Sequence, residues 1–160
     1  MKTTNNFLEI DLANKIYANF VKKFDLSNYR SHCFYDSEKD DPEIHKFIFN
    51  ISPELKSLAK NDFHMYCNSF LAKSRNIGPH FPSCVFKDHY QLMLCRQPYA
   101  GGSIVFPTEN WGPGMHQSDE GEQVELKHNR LISSKTSQQR VMDFISIAMH
   151  PIIYLNILSG

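Results

Sequence analysis

From residue 90 to the C terminus the chain is a series of short apolar segments, at 90–95, 103–106, 122–126, 130–134, 141–147 and 152–158. Gly, Pro, Asn or Ser clusters punctuate most of the gaps between them. Segments of this length and spacing imply an antiparallel sandwich or barrel. At 160 residues the chain suits one domain around one core, too small for separate cofactor and substrate domains. We therefore expect a single α+β domain over 1–160, with a helical N-terminal layer at 1–75 and a β-barrel body at 76–160.

The N-terminal layer is read from helical periodicity. Ala13, Ile16, Tyr17, Phe20, Val21 and Phe24 fall on one face of a helix predicted over 11–24, with Asp11 as its N-cap. Ser52-Pro53-Glu54 supplies a cap, a proline at the first helical position and an acid in the first turn. Leu55, Ala59, Phe63, Tyr66 and Phe70 then predict the buried stripe of a second helix. A strand is expected at 45–51 and an acidic loop at 36–42. The longest loop, 107–121, carries the only tryptophan, Trp111, together with His116, and loops of that length are usually lids, binding loops or disordered; the two residues are read either as substrate-facing or as solvated loop residues.

Charge excludes one class of function. Seventeen Lys and Arg balance seventeen Asp and Glu, so no bulk positive field is available for nucleic acid. No apolar run approaches the roughly 20 residues of a membrane span, and no secretory leader pattern opens the chain. Cys33, Cys67, Cys84 and Cys95 form no CxxC pair. The expectation is four reduced thiols and a cytoplasmic location.

Several short motifs, in order, carry a family likeness. Asn6-Phe7-Leu8 precedes the first helix; Gly78-Pro79-His80-Phe81-Pro82 precedes Tyr90-Gln91-Leu92-Met93-Leu94. Gly101-Gly102-Ser103-Ile104-Val105-Phe106, Asn129-Arg130-Leu131-Ile132-Ser133-Ser134 and Ile152-Ile153-Tyr154-Leu155-Asn156 follow. Together they resemble the iron(II)/2-oxoglutarate-dependent oxygenases of the prolyl-hydroxylase type. That resemblance implies a double-stranded β-helix, a cupin-like jelly roll, with two N-terminal helices packed outside. It implies a dioxygenase-like oxidoreductase acting on a small molecule or a peptide side chain, with iron(II) and 2-oxoglutarate as cofactors.

Such an enzyme holds iron with His-x-Asp and a distant His, leaving open positions for 2-oxoglutarate and oxygen. Carried over residue by residue, His80 matches the first histidine and is the one metal ligand retained. Pro82 stands where the aspartate belongs, and Gln139 where the second histidine belongs. His150 falls near the basic position that meets 2-oxoglutarate, and Tyr90 is the second residue assigned to that cofactor. The resemblance thus implies a site of His80, Gln139 and His150 at the barrel mouth. The alternative is a metal-free barrel, without iron or 2-oxoglutarate, that binds a ligand, catalyses a redox-neutral step or serves as an interaction module.

The remaining candidates are weaker. Asp88-His89 reads either as a non-standard site reached by a hairpin or as a polar turn before a strand. Cys84 lies near His80 and His89 in sequence, either as a nucleophile or as a packing thiol. No Gly-x-Ser-x-Gly, Walker, GxGxxG or His-Glu-x-x-His motif occurs. Oligomeric state is not legible.

Overall fold

The computed structural model describes residues 1–23, 32–36, 50–60, 62–70, 77–109 and 121–160. Within them β1 (Lys2–Thr4) is followed by α1 (Ile10–Lys23), β2 (His32–Asp36), α2 (Pro53–Leu58), β3 (Phe63–Phe70) and β4 (Ile77–His80). Then come β5 (Asp88–Leu94), β6 (Tyr99–Gly101), β7 (Ile104–Pro107) and β8 (Gly121–Val124). The chain ends with β9 (Arg130–Lys135), β10 (Arg140–Met142), β11 (Ile145–Ala148) and β12 (Ile152–Ser159).

Two antiparallel sheets face each other. The larger runs β1-β9-β5-β12-β3-β2, the smaller β4-β10-β7-β8, and β6 pairs with β11. Passing along the chain, β3, β5, β9 and β12 lie in the larger sheet while β4, β7, β8 and β10 lie in the smaller. That exchange between sheets makes a jelly roll.

Strand alternation divides the apolar residues into two cores. Leu92 and Leu94 of β5, Ile153, Leu155 and Ile157 of β12 and Met65 and Cys67 of β3 face outward and pack with Ala13, Ile16 and Phe20 of α1. The intervening residues Met93, Ile132, Ile152 and Tyr154 face inward, toward Ile104, Phe106 and Met142 of the smaller sheet. The α1 stripe is as the sequence predicts: Ala13 and Ile16 are fully buried and Phe20 is 1% exposed. Each such large side chain contributes roughly 1.5–3 kcal/mol by burial. Asn129, in left-handed conformation at φ 64°, holds the segment before α1. Its side chain accepts from Leu8 N at 3.0 Å and donates to Leu8 O at 2.7 Å.

The second helix differs from expectation. Ser52 does cap it, its Oγ accepting from Leu55 N at 3.2 Å, but α2 is only six residues long. Phe63, Tyr66 and Phe70 belong to the eight-residue strand β3, paired along its whole length with β12 and on its other edge with β2. The i, i+3, i+7 spacing of the aromatics is outweighed by two ladders of backbone hydrogen bonds and by burial of Met65 and Cys67 on one face. Among the described residues α1 is thus the one helix longer than six residues, and the layer expected to be helical over 1–75 supplies three strands to the larger sheet. The strand expected at 45–51 falls mostly outside the described residues. Among the described residues no helix is long and apolar enough to cross a membrane.

Candidate functional site

The inward face of the jelly roll is apolar at one end and polar at the other. On β5, His89 and Gln91 precede Met93 on the inner face; on β12, Asn156 follows Tyr154. The two sheets meet here through Arg140, the first residue of β10, which is 1% exposed.

Arg140 is held on four sides. Its Nη1 donates to His89 Nδ1 at 2.6 Å and to Ser134 Oγ at 2.8 Å. Its Nη2 donates to the carbonyls of Lys135 and Gln138, both at 2.9 Å. The guanidinium carbon lies 5.1 Å from the centre of the Phe106 ring, a cation–π distance. Burial lowers its pKa to about 10.

His89 relays this network. Because Nδ1 accepts from Arg140, Nε2 carries the proton and donates to Asn156 Oδ1 at 2.7 Å. Full burial, reinforced by the Arg140 charge, pushes its pKa down to about 3, so the imidazole is neutral. Asn156 Nδ2 in turn donates to Asn68 Oδ1 at 3.1 Å and Tyr154 O at 3.0 Å. Two buried atoms remain without a partner among the described residues, Arg140 Nε and Gln91 Oε1.

His80 ends β4, and in the β4–β10 register its partner is Arg140. Directly opposed residues of an antiparallel pair share a face, so His80 and Arg140 point the same way. His80 Nδ1 donates to Gly78 O at 2.9 Å, leaving Nε2 as its acceptor. Burial holds its pKa below the usual range against the opposing effect of that hydrogen bond, and Arg140 lowers it further.

The sequence-predicted site residues do not converge. Gln139 is buried but directly precedes β10, so the position opposite His80 belongs to Arg140 rather than to Gln139. His150 lies in the turn before β12 and lines a groove of about 750 Å³ against α1 that includes neither His80 nor Arg140. Tyr90 faces the α1 side of β5 with Leu92 and Leu94, because it is one residue out of phase with His89 and Gln91. Trp111 and His116 lie outside the described residues. Cys84 is exposed and His89 buried, so the two form no nucleophile pair.

Arg140, His89, Asn156 and Asn68 were not singled out from the sequence as a cluster. The one available signal was a polar residue inside an apolar strand, as in Leu155-Asn156-Ile157.

These side chains do not fit an iron(II) centre. Pro82 has no donor atom, and the position opposite His80 carries a guanidinium, which offers only donors and repels a divalent cation. No three His, Cys, Asp or Glu side chains come together as a metal site among the described residues.

The fold itself is that of the iron(II)/2-oxoglutarate oxygenases. No protein-family model and no curated protein sequence matches the chain. Solved structures do. A Pseudomonas putida prolyl-4-hydroxylase is similar at TM-score 0.60 and 13% identity, over 98% of this chain and 90% of that one. An oxidoreductase of the 2OG-Fe(II) oxygenase family from Burkholderia pseudomallei is similar at TM-score 0.65 and 10% identity, over 96% and 80%. A Trichoplax adhaerens prolyl hydroxylase, in complex with a peptide fragment of the hypoxia inducible factor oxygen degradation domain, gives 0.62 and 9% over 98% and 81%. At such identities the likeness is one of fold.

Proposed function

We propose that this chain is a metal-free form of the oxygenase jelly roll, with Arg140 as the fixed cation of the barrel interior, and that it works by binding rather than by oxygenation. The observation that carries the reading is the pairing of Arg140 with His80 across β4 and β10. A guanidinium needs no carboxylate cage when carbonyls, a hydroxyl and a neutral imidazole accept its protons, and Arg140 has all three. In the same place a divalent ion would face the guanidinium with only the His80 and His89 imidazoles, and no metal-binding group of three ligands forms among the described residues. The ligand is a small molecule or a peptide, and the protein acts in the cytoplasm.

Anaerobic titration with iron(II), with and without 2-oxoglutarate, tests this. The wild type should show no saturable binding at micromolar metal. Pro82→Asp with Arg140→His should gain affinity, and Pro82→Asp with Gln139→His should gain less, since position 139 is out of phase with His80. Tight iron binding by the wild type would overturn the reading.

A further inference from the structure

The groove beside α1 has the composition of a ligand site. About 750 Å³ in volume, it lies within the range of small-molecule pockets. One wall is the last two turns of α1, with Tyr17, Val21 and Lys22; the other is Arg96, His128 and the Met149-His150-Pro151 turn. Among the described residues no carboxylate lines it. Two cations, Lys22 and Arg96, reach the groove, and neither makes an ion pair among the described residues.

The floor is fixed and aromatic. Tyr17 Oη donates to Pro151 O at 2.6 Å, tying α1 to the turn before β12. His128 Nδ1 accepts from Cys95 N at 3.1 Å, so its Nε2 carries the proton and donates to Asn14 Oδ1 at 2.9 Å. The Tyr17 and His128 rings meet edge to face at 6.1 Å. Burial lowers the His128 pKa, which keeps this ring neutral and part of the wall. Charge therefore sits on Lys22 and Arg96, while Tyr17, Val21, Met149 and Pro151 offer apolar contact.

We infer that this groove binds a small organic anion, a carboxylate or phosphate ester attached to a flat apolar ring, with Lys22 and Arg96 on the anion and Tyr17 and Met149 against the ring. It extends the reading of the chain as a binding protein, yet does not depend on the barrel being metal-free. Carboxylate and phosphate share the chemistry, and separate probes distinguish them.

The test is an amide NMR titration of the full chain with phenyl phosphate, benzoate, phenol and inorganic phosphate. At least one ring anion should bind saturably, at roughly millimolar strength for so few atoms, shifting the amides of Tyr17, Arg96, His128 and Met149. Whichever of phenyl phosphate and benzoate binds more tightly identifies the anion. Phenol and inorganic phosphate should each bind more weakly. Lys22→Gln with Arg96→Gln, both exposed positions, should weaken the ring anion about tenfold, the effect of losing roughly 1.4 kcal/mol of charge-assisted contact. Absence of saturable shifts, phenol binding as well as the anions, or shifts centred on His89 and Arg140 would overturn the proposal. Failure of the iron test leaves these outcomes unchanged.

Discussion

The neutral state of His89 makes the stability of this protein sensitive to acid. In the folded chain its pKa is about 3, against an ordinary 6.5, with burial the main cause and Arg140 the second. Between those values the unfolded chain binds a proton that the folded chain refuses. Stability is therefore full above pH 6.5 and falls as pH drops toward 3, at about 1.4 kcal/mol per pH unit. From pH 7.5 to 4.5 the His89 contribution amounts to about 3 kcal/mol, a large part of a small domain's total. His80 and His128 are also held low and add loss of the same sign. The comparison that isolates His89 is His89→Gln. A glutamine amide can accept from Arg140 and donate to Asn156 Oδ1, keeping both hydrogen bonds of the imidazole without its titration. Urea unfolding at pH 7.5, 6.5, 5.5 and 4.5 should show the wild type losing about 3 kcal/mol more than the variant. If the two curves fall in parallel with pH, His89 is not buried as a neutral acceptor and the account of the barrel interior is wrong.

Arg140→Met leaves His89 Nδ1 and Ser134 Oγ without their donor, and should cost about 2–4 kcal/mol in urea unfolding at pH 7.5. The same change removes a positive neighbour, so the His89 pKa, followed by imidazole NMR, should rise from about 3. Tyr154→Phe removes the buried hydroxyl that donates to Gly102 O at 2.6 Å and should cost roughly 1–2 kcal/mol, read as a lower thermal midpoint. Asn129→Ala loses both hydrogen bonds to Leu8 and places a Cβ-bearing residue without them at φ 64°; a cost of about 2–3 kcal/mol is expected by urea unfolding. Asp88→Asn should cost less than about 1 kcal/mol, because its partners Lys60 and Lys135 are solvent-exposed lysines.

Local pattern determined much of this molecule. The stripe Ala13, Ile16, Phe20 specifies α1 because helical periodicity is a property of neighbours three and four residues apart. Short apolar segments separated by turn residues specify a β body for the same kind of reason, and Ser52 marks a helix start through a bond to Leu55 N within its own turn. What spans the chain was decided elsewhere. Residues 63–70 carry a helical spacing of aromatics, yet β12, some ninety residues away, pairs with every one of them. The site turned on a smaller margin still. Side-chain direction in a strand has period two, so whether Gln139 or Arg140 stands opposite His80 depends on one step of register. That register is set by hydrogen bonds between β4 and β10, segments some sixty residues apart, and no property of either segment alone contains it. His150 shows the same limit: its place in sequence suits the barrel mouth, but the turn into β12 carries it to the α1 side, where Tyr17 bonds the neighbouring Pro151.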